Sequence, residues 1–112
     1  MNNKELGRIG EDMAVRMLMA KGYRILDRNY RCQTGEIDII AARDRKISFI
    51  EVKTRSGYLY GRPCEAVDQK KQKNIRRTAV SYLRETKAGG YVYSNIGFDV
   101  VEIVIEHIES AF

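Results

Sequence analysis

Apolar residues recur along the chain with two different periods, and these periods predict two helices and four strands. A helical period begins after Asn2 or Asn3 and runs to about Lys21, where Gly22 ends it, and a second covers Asp68–Glu85. Runs rich in β-branched and aromatic residues predict the strands, which are Tyr23–Arg31, Glu36–Arg43, Ile47–Thr54 and Asn95–Ile105. A helix between the third and fourth strands requires a parallel crossover, so the sheet is predicted to be mixed.

The second and third predicted strands are apolar at nearly every position, which indicates a hairpin buried on both faces. The polar pair after Arg43 supplies the reversal between them. If the turn is centred on this pair, Ile40 opposes Phe49 and Asp38 opposes Glu51. The hairpin is therefore predicted to place two carboxylates side by side on one face.

Three charges interrupt this apolar hairpin, and they are Asp38, Glu51 and Lys53. Alternation along a strand puts Glu51 and Lys53 on the same face as Phe49. Opposed side chains have Cβ atoms about 5 Å apart, so the two acids repel unless they share a proton, pair with cations or bind a divalent metal. Hard oxygen ligands suit Mg²⁺ or Mn²⁺, and a nearby lysine can orient water, a layout typical of phosphodiester hydrolysis. The alternative interpretation is an ordinary surface ion pair.

The first helix carries an apolar stripe predicted at Leu6, Ile9, Met13 and Met17. Glu11 falls at the edge of this stripe among small neighbours. Two interpretations stay open for Glu11: it points inward to the sheet, or it is a border residue whose carboxylate reaches water.

The second helix has a predicted buried face of Ile75, Thr78, Ala79, Tyr82 and Leu83. Five basic residues lie at its start without an acid among them, namely Lys70, Lys71, Lys73, Arg76 and Arg77. Together with Arg55 after the third strand, they predict a track for phosphate groups, and the alternative is simple solvation of a helix face.

Other residues near the predicted site carry weaker signals. In the loop after Thr54, Tyr58 and Tyr60 can stack on bases and Arg62 can hold phosphate, or the tyrosines pack the loop down. Asp99 can support the site or cap a neighbouring backbone. The residues after Ile105 are predicted to form a short strand or tail that Phe112 anchors.

Composition narrows the class of protein. A chain of 112 residues with 44% hydrophobic residues suits one domain, residues 1–112, with one core. The net charge of +5 and pI near 9.3 favour a polyanionic partner. We find no long apolar run and no signal-peptide pattern, so a soluble, cytoplasmic protein without a membrane partner is expected. Cys32 and Cys64 are predicted to be free thiols, and the single His107 argues against zinc.

Several segments together carry a resemblance to a known family, and they span nearly the whole chain: Gly10-Glu11, Gly35-Glu36-Ile37-Asp38, the run from Phe49 to Arg55, Tyr60-Gly61, Lys71, Phe98-Asp99-Val100-Val101 and Ala111-Phe112. With the order of elements, they resemble the restriction-endonuclease-like PD-(D/E)XK superfamily. More narrowly, the chain is similar to the small bacterial YraN-like family, which is itself similar to archaeal Holliday-junction resolvases. The chain has Ile37 where the superfamily motif has proline.

The resemblance implies an α/β fold with a central mixed sheet flanked by helices and an αβββαβ core. It implies that Asp38 and Glu51 bind Mg²⁺ with the backbone carbonyl of Val52, and that Lys53 positions the attacking water. A helix-one acid such as Glu11 completes the metal site in the resolvase branch. These residues make the predicted catalytic set Glu11, Asp38, Glu51 and Lys53.

Three classes of function follow as hypotheses. The first is a Mg²⁺-dependent DNA endonuclease acting on branched or structured DNA, by analogy with the resolvases. The second is a non-catalytic nucleic-acid-binding module on the same fold, acting on DNA or RNA, and the third is an interaction protein. A homodimer is compatible with cutting both strands, although no feature of the sequence indicates one.

Overall fold

The computed structural model describes residues 1–57, 67–86 and 93–112. Its six elements are helix α1 (Asn3–Ala20), strands β1 (Arg24–Cys32), β2 (Gly35–Arg43) and β3 (Lys46–Ser56), helix α2 (Gln69–Thr86) and strand β4 (Asn95–Ile105). The predicted order of helices and strands is confirmed, and the element bounds agree with prediction to within two residues.

The four strands form one mixed sheet in the order β1-β2-β3-β4. β1, β2 and β3 pair antiparallel, whereas β3 and β4 pair parallel across the connection that contains α2. The chain therefore has a mixed α/β fold, as the crossover predicted. Neither helix in the described ranges is long and apolar enough to cross a membrane.

The central hairpin is buried on both faces, as predicted. On one face, a cluster of hairpin residues packs against Ala79 and Tyr82 of α2. On the other face, Ile39, Ala41 and Ile50 pack against Ala14 and Leu18 of α1. The sheet is thus enclosed between the two helices, and this arrangement fixes which side chains of each strand face which helix.

The predicted apolar stripe of α1 is confirmed only in part, since Leu6 is half-buried and Met17 packs against the core. The buried residues of this helix are Gly10, Ala14 and Leu18, whereas Ile9 and Met13 are more than two-fifths exposed. The small residues Gly10 and Ala14 let the helix backbone approach the sheet closely, whereas the larger side chains of Ile9 and Met13 lie on the outside. The predicted buried face of α2 is confirmed by Thr78, Ala79 and Tyr82, with Ile75 and Leu83 partly buried.

The end of the chain agrees with prediction only in part. Residues 106–112 form a tail and no strand, but the ring of Phe112 is fully exposed, so it does not anchor the terminus. No described surface packs against this ring, so its aromatic character alone did not indicate burial.

Candidate functional site

The predicted hairpin register is confirmed. Paired positions run from Arg43 opposite Lys46 to Ile39 opposite Ile50, and Asp38 and Glu51 are the next positions along this register. Beyond the last pair, the backbone N–H of Val52 donates a 2.8 Å hydrogen bond to Oδ2 of Asp38. A side-chain carboxylate therefore takes the place of a backbone acceptor where the two strands stop pairing.

The Asp38 carboxyl has a raised pKa. Burial raises its pKa to about 6, the hydrogen bond from Val52 opposes this shift, and repulsion from Glu51, Glu11 and Glu36 adds to it. A cation bound at this position would reduce the repulsion between Asp38 and these three acids. The predicted accumulation of negative charge at Asp38 is present in the fold.

Glu51 lies between two lysine side chains. Its Oε1 atom is 2.6 Å from Nζ of Lys71 and 3.6 Å from Nζ of Lys53, and its side chain is only 11% exposed. Burial and the neighbouring Lys71 cation lower the pKa of Lys53. Burial acts in the same direction on Lys71, but its interactions with Glu51 outweigh it and raise the pKa of Lys71. The two lysines are therefore electrostatically different, and Lys53 gives up its proton more easily.

Lys71 reaches this cluster because α2 begins beside it. Oδ1 of Asp68 accepts the backbone N–H of Lys71 at 2.8 Å, which is the pattern of a helix N-cap. The cap fixes the first turn of α2, and the apolar face that continues through Ile75 orients the helix. The sequence placed Lys71 among the basic residues at the start of this helix, and the structure brings it to Glu51.

Glu11 points inward rather than to water. Its side chain is 15% exposed, and Oε1 accepts hydrogen bonds of 3.0 Å from Nε of Arg28 and 3.0 Å from Nδ2 of Asn29. Asn29 has a left-handed backbone (φ 54°) within β1, a conformation that asparagine tolerates better than most residues. Neither partner of Glu11 was predicted from the sequence. The one available signal was that asparagine tolerates this backbone conformation.

The acids do not gather into one compact group. Within residues 1–57, 67–86 and 93–112, no three His, Cys, Asp or Glu side chains come together as a metal site. Glu11 is held at β1, while Asp38 and Glu51 remain together at the hairpin end. Two carboxylates are nevertheless a suitable protein donor set for Mg²⁺, which keeps several waters and takes its other ligands from a phosphate.

Two cavities open onto Asp38 from opposite sides. The first, about 260 Å³, is lined by Glu36, Asp38, Glu51 and Lys71 beneath α2. The second, about 640 Å³, lies beside α1 and is lined by Asp38 and Lys53 together with residues of that helix. Asp38 therefore borders both cavities.

The predicted phosphate-binding residues do not form one surface. Lys71 lies in the site, whereas Lys70, Lys73 and Arg77 are exposed on the outer side of α2. The guanidinium of Arg76 lies 5.0 Å from the centre of the Phe98 ring. It lines a third cavity, of about 310 Å³, together with Glu51 and Asp99. Arg55 is partly buried on β3, four residues beyond Glu51. Tyr58, Tyr60, Arg62 and Cys64 lie outside the described residues.

Cys32 has an activated thiol away from these acids. A hydrogen bond with Thr34 (Sγ to Oγ1, 3.0 Å) lowers the pKa of Cys32 to about 7, although burial opposes this. In a Cys64→Ser background, we expect iodoacetamide alkylation of Cys32 to rise with a midpoint near this pKa, as measured by mass spectrometry between pH 6 and 10. Thr34→Val should move the midpoint towards the ordinary thiol value. A midpoint that Thr34→Val leaves unchanged would contradict this assignment.

Comparisons with known proteins identify relatives along the full length. The sequence model of the group described as "Uncharacterised protein family UPF0102" matches residues 10–103. A UPF0102 protein of Alkaliphilus oremlandii is 50% identical over 98% of this chain and 99% of its own length. One from Clostridioides difficile is 45% identical over the whole of both chains, and one from Rhodococcus opacus is 45% identical over 99% of this chain and 98% of its own. On this similarity, the chain belongs to the UPF0102 family.

Proposed function

We propose that this protein is a divalent-metal-dependent endonuclease with a restriction-endonuclease-like fold, which hydrolyses phosphodiester bonds in branched or structured DNA. The observation that supports this most directly is the meeting of Asp38, Glu51 and Lys53 where β2 and β3 stop pairing. Two carboxylates that repel each other beside a lysine of lowered pKa reduce the stability of the fold, which is unfavourable for a purely structural site. Its cost is accounted for if a cation and a phosphate bind there.

The residues of the site divide the chemical work. Asp38 and Glu51, with the carbonyl of Val52, would hold Mg²⁺ or Mn²⁺, and such an ion supplies charge to a phosphate oxygen and acidity to water. The lowered pKa of Lys53 suits it to exchange a proton with the attacking water or to hold that water in place. Lys71 can contact a phosphate from the α2 side of the cavity that it shares with Asp38 and Glu51.

Glu11 has a supporting role in this proposal. Arg28 and Asn29 both bind Oε1 of Glu11, so this acid is tied to β1. It nevertheless raises the pKa of Asp38 by repulsion, which places its charge close to the site. Glu11 thus adds to the negative potential that attracts a cation, whether or not it becomes a ligand itself.

One observation favours a second candidate, a nucleic-acid-binding module without catalysis. The ammonium groups of Lys53 and Lys71 already neutralise Glu51, so the cluster can exist without a metal. In this case the protein would bind nucleic acid in a salt-dependent manner and would not cleave it.

Titration of Mg²⁺ and Mn²⁺ into the protein, followed by calorimetry, distinguishes these candidates. Because Lys71 competes with a metal for Glu51, we expect Lys71→Met to strengthen metal binding by about threefold to tenfold. The matched control is Lys73→Met, on the exposed side of the same helix, which should leave the affinity unchanged. The nuclease proposal also requires metal-dependent cleavage of labelled junction, flap or linear DNA. Absence of metal binding and of cleavage in both the wild type and Lys71→Met would favour the binding module.

A further inference from the structure

A second basic surface lies on the opposite side of the site from α2. Its walls are the first half of α1, which contributes Lys4, Gly7 and Arg8, and the end of β3 at Lys53 and Thr54. We call this the α1 groove. It has a volume of about 640 Å³ and reaches Asp38 at its inner end. None of the basic residues at the start of α2 lines it.

Two glycines give the groove its shape. A Cβ atom added to Gly10 would overlap the Thr54 side chain, so α1 runs directly against β3 at this point. A Cβ atom added to Gly7 would meet nothing within 4 Å, so the helix surface is open one turn earlier. The helix therefore packs directly against β3 at Gly10 and leaves the outer part of the groove free for a ligand to approach the backbone.

The outer part of the groove is positively charged. Four basic and two acidic side chains line the groove as a whole. Of the basic ones, Arg28 is committed to Glu11 at 2.9 Å and to Asp12 at 2.7 Å. Lys4 and Arg8 are exposed and form no ion pair with any described residue. They are therefore available to an anionic ligand.

The positions of these two side chains form a line that leads to the site. Lys4, Arg8 and Glu11 are spaced four and three residues apart, which places them on one side of α1. With a rise of about 1.5 Å per residue, this line extends about 10 Å along the helix from Glu11. A ligand that follows it would need several negative charges along its length.

We infer that the α1 groove binds the phosphodiester backbone of the nucleic acid on the side of Asp38 opposite to Lys71, with Lys4 and Arg8 contacting its phosphates. This rests on the proposed function, since it assumes a nucleic acid at the site. The strand then passes from the α2 cavity across Asp38 and out along α1. The backbone at Gly7 leaves the space that such a strand needs.

The experiment measures binding and cleavage separately. We compare the wild type, the double variant Lys4→Ala/Arg8→Ala and a control of equal charge loss, Arg16→Ala/Lys21→Ala. Arg16 is exposed on the same helix and Lys21 is exposed at its C-cap, and neither residue lines the groove. Fluorescence anisotropy with a labelled four-way DNA junction gives the affinity in chelator over a range of salt concentrations. A second assay records cleavage of the same junction with Mg²⁺.

We expect the groove variant to bind the junction on the order of tenfold more weakly at low salt. Its plot of log affinity against log salt should be shallower by about 1.8, which corresponds to two lost phosphate contacts. The control should match the wild type in slope. Equal losses in both variants, no loss in either, or no binding by the wild type would overturn the inference. If the wild type cleaves the junction and the groove variant binds and cleaves it equally well, the groove inference alone is overturned. If binding depends on the groove but no cleavage occurs, the nuclease proposal alone is overturned.

Discussion

Replacing Asp38 by asparagine is expected to reduce metal-dependent cleavage of DNA by about a thousandfold or more. The variant keeps an oxygen that can accept the N–H of Val52, which in the wild type donates at 2.8 Å, so the hairpin end retains its shape. It loses the negative charge that the proposed metal site needs. Single-turnover cleavage with Mg²⁺, at protein concentrations above that of the DNA, measures the effect on the chemical step.

The matched control for this variant is Asp44→Asn. Asp44 lies in the exposed turn at the other end of the same hairpin and has a left-handed backbone, which asparagine adopts readily. We expect its cleavage rate to stay within about threefold of the wild type, because surface substitutions of this kind change little. Equal rates for Asp38→Asn and the wild type would show that the acidic pair has no role in cleavage.

The Asp38→Asn substitution, which is expected to reduce cleavage, should increase the stability of the metal-free protein. Burial and repulsion raise the pKa of Asp38 from 3.8 to about 6, so the folded state binds more protons than the unfolded state between these values. The metal-free protein should therefore lose stability as the pH rises from about 4 to about 6. At pH 7 in chelator, Asp38→Asn should raise the free energy of unfolding by about 1–2 kcal/mol, since solvent reduces the full linkage value.

Urea denaturation at pH 4.5 and pH 7 tests this expectation, because the gain from Asp38→Asn should be larger at the higher pH. A loss of stability of the same size at both pH values would mean that the carboxylate serves mainly as the acceptor for Val52. Greater stability combined with lost cleavage would indicate that this position is maintained for function at the expense of stability.

The central hairpin and its acids were predictable from the sequence for local reasons. Its polar turn interrupts two apolar runs of similar length, and one register follows from that turn. The position of Asp38 and Glu51 as the next step after Ile39 and Ile50 depends on nothing else in the chain. The capped start of α2 is local in the same sense, and Lys71 was among the basic residues that the sequence indicated there.

The features that sequence analysis missed depend on contacts between distant segments. The partners of Glu11 depend on the left-handed backbone at Asn29 and on the packing of α1 against β1. No local sequence pattern predicts either feature. The basic residues of α2 were treated as one track, but helical geometry turns Lys71 towards Glu51 and Lys73, two residues later, to the opposite side of the helix. The importance of Lys4 and Arg8 depends on the groove beside them, which exists only in the folded protein.

The position of α1 depends on one close approach, and Gly10→Ala is expected to lower the free energy of unfolding by about 2–3 kcal/mol. A Cβ atom at this position would lie 2.6 Å from Cγ2 and 2.7 Å from Cβ of Thr54, and closer still to its Oγ1. These separations are too short for any rotamer of Thr54 to relieve completely, since its Cβ belongs to the strand. The cost of overpacking therefore exceeds the gain of about 1 kcal/mol that alanine brings to a helix interior.

Gly7→Ala is the matched control, because it makes the same chemical change one turn earlier, where nothing lies within 4 Å. There only the helix-propensity gain remains, so we expect stabilisation by about 0.5–1 kcal/mol. Urea denaturation of both variants should thus give shifts of opposite sign. Adding Thr54→Ala to Gly10→Ala should recover part of the loss, since it removes Oγ1 and Cγ2 but leaves Cβ in place.

A stabilising Gly10→Ala, or a loss that Thr54→Ala does not reduce, would show that α1 and β3 are not in contact at this point. The consequence for function follows from the same geometry. Glu11 is the next residue along the helix, and Arg8 precedes Gly10 by two. If the helix moves away from Thr54, it carries the groove and the negative charge of Glu11 away from Asp38. Gly10→Ala should therefore weaken junction binding even under conditions where the variant remains folded.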